Sequence, residues 1–179
     1  GELSAQVVTV VSSRSTVKGV QIAKDANLPC HVIRTKDHSE VDDFSATIVE
    51  VLEAANVDLV VQAGWLCYWK IPDRYLGRVM NIHPALLPSF GGKGMWGHHG
   101  HEAVLAVGCK VSGCTVHFVN NEYDKGPIII QRTCEVAEDD DPDTLAVRVF
   151  EQECIAYPAA IQLFAEGRLQ IVGSRVNAL

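Results

Sequence analysis

No run of apolar residues in this 179-residue chain approaches the roughly 18 that would carry a helix across a bilayer. The N-terminus also lacks the basic, apolar and small-residue sections of a secretory signal. From these absences we expect a cytoplasmic protein without a membrane partner. Basic residues are scarce too: 15 Lys and Arg stand against 22 Asp and Glu, a formal charge of -7, with no basic cluster anywhere. That balance argues against non-specific binding to nucleic acid or to an acidic membrane surface. The six cysteines, Cys30, Cys67, Cys109, Cys114, Cys134 and Cys154, form no CxxC pair, and several sit inside apolar strand-like runs. They read as reduced, buried small hydrophobes rather than as a disulfide framework. Neither GxxxxGK[ST] nor GxGxxG followed by a dinucleotide unit occurs, so no nucleotide-binding loop is indicated by pattern.

What is present is 47% hydrophobic and 21% charged, which suits one compact domain over residues 1–179. At this length folding buries roughly 70% of the unfolded surface, so no structural metal is required. Residues 7–11, Val-Val-Thr-Val-Val, form a β-branched run of the kind found in strands covered on both faces. Helical spacing follows over residues 17–26, a short strand over 30–33, and an amphipathic helix on Val41, Phe44, Ile48, Val51, Leu52 and Ala55, with Ser39 and Asp42 as a capping box. Buried strands are expected at 58–62 and 78–82, then two strands at 111–119 and 127–136 joined by an Asn, Asp and Gly turn as an antiparallel addition. A helix over 142–166, bent at Pro158 and ended by Gly167, closes the pattern. The alternation of strand and helix predicts an α/β fold: an open, mostly parallel twisted sheet with helices on both faces and a ligand crevice at the carboxyl ends of the strands.

Asn81 and His83 flank Ile82, so an inward Ile82 puts an amide and an imidazole on the opposite face, with Pro84 restricting the histidine. Asp124, in the loop after residues 117–119, is the candidate third partner, since a carboxylate beside an imidazole favours its charged form. A structural Asn and His, and a turn-forming Asp, are the plainer readings of the same residues. Residues 88–100 hold Gly91, Gly92, Gly94, Gly97 and Gly100 and are expected to be an irregular loop, with His98, His99 and His101 read as exposed loop histidines rather than zinc ligands.

Three segments carry a resemblance: NIHPALLPSF at 81–90, SGCTVHFV at 112–119 and YDKGPIIIQ at 123–131. In this order and spacing they resemble the phosphoribosylglycinamide formyltransferases, folate-dependent enzymes of purine biosynthesis, and the similarity runs over residues 7–169. The resemblance implies a Rossmann-type sheet and transfer of a formyl group from 10-formyltetrahydrofolate, as co-substrate, to the amine of glycinamide ribonucleotide, with no metal. It implies that Asn81 binds the developing oxyanion, that His83 is the general acid and that Asp124 keeps that histidine charged. By the same match Trp65, Leu66, Cys67, Tyr68 and Trp69, with Val119, Asn120, Asn121, Glu122 and Tyr123, line the pterin pocket, and Glu153 and Pro84 contact the ribonucleotide.

The sequence departs from the family pattern at three places. It starts past the family's first strand and glycine-rich phosphate loop, which leaves an unpaired position expected in the sheet. Cys67 stands where a basic residue is frequent, and the loop over 91–100 is longer than in familiar members. Two alternatives follow: a formyltetrahydrofolate hydrolase using a similar Asn, His and Asp set, or a non-catalytic folate-binding remnant lacking the phosphate loop. Pro84, after the histidine, favours the transferase over the hydrolase.

Overall fold

The computed structural model describes residues 3–179. In chain order these form β1 (Val10–Ser12), α1 (Lys18–Asp25), β2 (Cys30–Val32), α2 (Val41–Ala54), β3 (Val60–Gln62), β4 (Val79–His83), α3 (His98–Val107), β5 (Val111–Phe118), β6 (Ile128–Glu135), α4 (Pro142–Ala165), β7 (Leu169–Val172) and β8 (Arg175–Ala178). The α/β expectation holds. Parallel pairing joins β1 to β2, β3 to β4 and β6 to β8, while β4, β5 and β6 are successively antiparallel. The strands fall into a two-stranded sheet, β1-β2, and a six-stranded one in the order β3-β4-β5-β6-β8-β7.

Adjacent residues of β4 show how the layers form. Val79 and Met80 are both fully buried, yet Val79 packs with Phe44, Ile48 and Leu52 of α2 whereas Met80 packs with Val104 of α3 and Leu145, Val149 and Ala156 of α4. Side chains alternate across a strand, so one core lies on each face, with helices covering both. The spacing of Phe44, Ile48 and Leu52, four residues apart, explains why α2 presents a single apolar stripe. Asp141 begins α4 with a reciprocal cap: its carboxylate accepts the Thr144 N–H at 2.8 Å and its own N–H donates to Thr144 Oγ1 at 2.9 Å. Pro142 fills the first helical position, where its missing N–H costs nothing, and Pro158 lies inside the helix.

Several expectations are corrected. Strand β1 covers only Val10–Ser12, and Val7 and Val8 are 57% and 40% exposed, because the run pairs with β2 alone and nothing described covers its outer side. The capping box on Ser39 and Asp42 does not form; Glu40 is the N-cap of α2, without a side-chain cap. Helix α3 starts at His98, so His98, His99 and Gly100 are helical rather than loop. The cysteines are all unpaired, but only Cys114 is buried and Cys154 is exposed. The expected pattern ends with α4, but a β7-β8 hairpin follows it: Gly173-Ser174 between two alternating runs is a two-residue hairpin signal, and Gly173 has φ +60°. Among the described residues no helix is long and apolar enough to cross a membrane.

Candidate active site

The carboxyl ends of β3 and β4 open into a cavity of about 610 Å³ whose lining includes Gln62, Asn81, His83 and Pro84. Strand register brings the chemistry together there. Asn81 lies opposite His117 and His83 opposite Thr115 across the β4-β5 pair, so all four side chains share one face while Ile82 and Val116 share the other. Between Val116 and His117 the pairing to β6 slips, with Val116 opposite Ile130 and His117 opposite Ile128. The extra residue, Ile129, is on β6, so the bulge bends that strand while β5 keeps its register with β4 through His117.

The turn after His83 is held by one hydroxyl. Thr115 Oγ1 donates to Ala85 O at 2.7 Å and accepts from Leu87 N–H at 3.0 Å and from the Gln131 amide at 3.0 Å; that amide also donates to Leu87 O at 2.9 Å. One donor and two acceptor positions are therefore filled in a fully buried residue. Each of the three sequence segments singled out above supplies a partner to this network. From α4, the Tyr157 hydroxyl lies 2.8 Å from Gln62 O and 3.1 Å from Met80 O, tying the helix to β3 and β4. Burial pushes the Tyr157 pKa up, so this hydroxyl stays protonated.

Asp124 sits in the loop between β5 and β6 with φ +53°, a left-handed conformation that Asp tolerates better than most residues. The loop closes tightly: a Cβ on Gly126 would stand 1.7 Å from Phe118 O, so only glycine fits. The carboxylate then faces two imidazoles, with Oδ2 3.7 Å from His83 Nδ1 and Oδ1 3.6 Å from His117 Nε2, and Oδ2 accepts the Gly92 N–H at 2.8 Å. Burial alone would raise the Asp124 pKa, but the His117 and Gly92 hydrogen bonds and the charge of His83 outweigh it and hold the carboxyl below its ordinary value.

The imidazoles have distinct roles in this network. His83 Nε2 lies 2.8 Å from Phe90 O, so that nitrogen carries the proton and donates, leaving Nδ1 toward Asp124. His117 Nδ1 is 2.9 Å from Phe118 O and donates likewise; its Nε2 lies 3.3 Å from Asn81 Nδ2 and 3.6 Å from Asp124 Oδ1. A carbonyl oxygen can only accept, so the ring nitrogen facing each carbonyl carries a hydrogen. His117, 1% exposed, thus touches both Asn81 and Asp124. It was not among the expected site residues, although it stands at an even spacing from Thr115 inside SGCTVHFV, a period-two signal that it shares a face with it.

Of the expected pterin residues, Trp65, Leu66, Cys67, Tyr68 and Trp69 line the cavity, as do Val119, Asn120, Glu122 and Tyr123. Trp69 is 5% exposed and belongs to the α2 core, and Trp65 stacks on Phe44 with ring centroids 6.3 Å apart. Asn121 does not line the cavity. Its amide clamps the Ile71 backbone, accepting the N–H at 2.8 Å and donating to the carbonyl at 3.1 Å, which fixes the loop that carries Tyr123 and Asp124. Glu153, on α4, lines the cavity and burial raises its pKa. His101 is likewise in the lining and 4% exposed, a correction to its reading as an exposed loop histidine: it falls on the inner face of α3 one turn into the helix. Among the described residues no group of three or more His, Cys, Asp or Glu is placed to hold a metal ion.

An amide, an imidazole and a carboxylate are thus gathered at the carboxyl ends of the parallel strands β3 and β4, where open α/β folds bind their ligands. The chain belongs to the formyl transferase family, whose model matches residues 1–161. It is 40% identical over 169 residues to the trifunctional purine biosynthetic protein adenosine-3 of Gallus gallus, covering 93% of this chain and 16% of that protein. It is 33% identical over 173 residues to the phosphoribosylglycinamide formyltransferase of Haemophilus influenzae, covering 96% and 79%. Among solved structures, glycinamide ribonucleotide transformylase 1 from Symbiobacterium toebii superposes with a TM-score of 0.88 at 38% identity, over 97% of this chain and 81% of that one. The chain thus spans about a sixth of the length of the trifunctional relative, 59% of the chloroplastic enzyme of Arabidopsis thaliana and 79% of the Haemophilus influenzae one.

Proposed function

We propose that this chain transfers the formyl group of 10-formyltetrahydrofolate to the amine of glycinamide ribonucleotide, a step of purine biosynthesis. The observation that carries this reading is the convergence of Asn81, His83 and Asp124 in one cavity, held in register by Thr115 and His117. In the proposed reaction the amine attacks the formyl carbon and a tetrahedral intermediate forms. The Asn81 amide, with Nδ2 3.3 Å from His117 Nε2, presents an N–H to the developing oxyanion. His83, with Asp124 at its Nδ1 side, donates the Nε2 proton to the departing folate nitrogen once that proton leaves Phe90 O. Trp65, Tyr68 and Tyr123 offer flat faces for the pterin, and Tyr68 and Tyr123 stand 5.7 Å apart at the cavity wall. Glu153 and Pro84 are assigned to the ribonucleotide side. Holding both substrates in one cavity supplies much of the remaining acceleration.

The test is turnover of this chain with a 10-formyl folate, following deformylated folate with and without glycinamide ribonucleotide. Release that depends on the ribonucleotide supports the transferase. Release without it indicates hydrolysis, and folate binding without release indicates a non-catalytic remnant.

A further inference from the structure

Apart from the Gly92 N–H that holds Asp124, the glycine-rich segment and the histidines that follow it have no part in the reaction just proposed, yet they form one wall of the cavity. Gly92, Lys93, Gly94, Met95, Trp96 and Gly97 all line it, followed by His98 and His101 of α3. Lys93 is the sole Lys or Arg among the lining residues; it is exposed and makes no ion pair with any described residue. The acidic side chains in the lining are Glu122, Asp124 and Glu153, so Lys93 is the one fixed cation that the cavity offers an anion. Both substrates of the proposed reaction are anions, one ending in a phosphate and the other in carboxylates.

Two further features point the same way. Helix α3 is ten residues long and follows Gly97, an N-cap that supplies no side-chain hydrogen bond, and its first turn holds no acidic residue. Of the amides at that end, the His99 N–H is taken by Trp96 O at 3.3 Å. An uncapped helix start concentrates partial positive charge and unpaired donors. Independently, His101 lines the cavity while 4% exposed, and its Nδ1 has no hydrogen-bond partner. A buried, unpartnered polar atom is rare in native proteins and calls for a ligand or a rearrangement that satisfies it. Burial lowers the His101 pKa, with His98 and His83 adding to it, so the ring is held neutral and can donate one hydrogen bond and accept another. Asp143, 3.4 Å from His98, and Glu102, 3.4 Å from His99, are not in the lining, whereas Asp124 is and already takes the Gly92 N–H at 2.8 Å, which leaves the amides beyond Gly92 for a ligand.

We propose that residues 92–97, the first turn of α3 and His101 form a subsite for an anionic oxygen group, a phosphate or a carboxylate carried by one of the two substrates, with Lys93 as its cation. This rests on the proposed reaction only for the identity of the substrates; the site itself follows from the residues in the wall. Glycines at 92, 94 and 97, with φ of +99°, +94° and +58°, let the segment approach a ligand through its backbone, as anion cradles do.

The experiment titrates inorganic phosphate and, separately, glutarate into the protein while the imidazole resonances of His98 and His101 are followed by NMR. The expected result is a saturable shift with at least one anion, weakened about tenfold in Lys93→Gln and retained in Lys93→Arg, with the melting temperature of both variants unchanged. The anion whose binding weakens identifies which end of which substrate the subsite takes. Equal affinity in the wild type and Lys93→Gln, or no saturable shift with either anion, overturns the proposal. No turnover is read, so a chain that binds the anion as expected but transfers no formyl group counts against the proposed activity alone.

Discussion

The wall of the cavity made by β4 and β5 and the wall made by residues 92–97 hold their side chains by different means. On the strand wall the polar groups are buried and paired: Thr115 is fully buried with three partners, His117 is 1% exposed, and Asn81, His83 and Asp124 each contact another member of the network. On the glycine wall Lys93 and Trp96 are exposed, and Trp96 meets the His99 ring edge-on at 5.0 Å. A satisfied buried network fixes geometry to fractions of an ångström, which proton transfer and oxyanion binding need. An exposed, glycine-rich wall gives up that rigidity and can close around whatever part of a substrate it meets. The two are joined where Gly92 N–H bonds Asp124 and Phe90 O bonds His83, with Phe90 itself at φ +54°, a strained value for an aromatic residue beside a site.

This contrast can be broken from either side. The largest effect is expected for His83→Ala, a loss of about 10²–10⁴-fold in kcat read by steady-state kinetics, with folate binding retained; survival of most of the activity would remove His83 from the mechanism. Next is Thr115→Val, which keeps the shape but strands Leu87 N–H, Ala85 O and one Gln131 contact. It should cost about 3 kcal/mol in urea unfolding, and a loss below about 1 kcal/mol would show that the turn holds its place without the network.

A smaller effect concerns acid. The Asp124 carboxyl is held below its unfolded value, so its contribution to stability is present above the unfolded carboxylate pKa and is lost as pH falls through the folded one. Asp124→Asn should therefore be less stable than the wild type at neutral pH, with the gap closing as the solution is taken well below pH ~4. Parallel stability curves for the two proteins would contradict the pairing with His83 and His117. The smallest effect belongs to the glycine wall: Trp96→Ala, at a side chain 51% exposed, should change stability by less than about 0.5 kcal/mol in the same unfolding assay. A larger loss would mean that this wall is packed rather than adaptable.

The sequence by itself determined the α/β alternation, the stripe on α2, the long helix α4 and the three segments whose resemblance led to the family. Asn81, His83 and Asp124 were legible because period-two alternation and a polar turn are local signals. What only the tertiary structure decided is which of these residues meet. Asp124 reaches His83 across 41 positions of chain because β5 pairs with β4 in one register and Gly126 lets the loop press on Phe118. His117 meets Asn81 because β5 pairs with β4 in that register, and Asn121 leaves the lining because Ile71 offers it two backbone partners. His101, taken for a loop residue among glycines, is buried because α3 begins three residues before it and packs against α4. Such outcomes depend on contacts between segments far apart in sequence, and a local pattern of residue types carries no information about them.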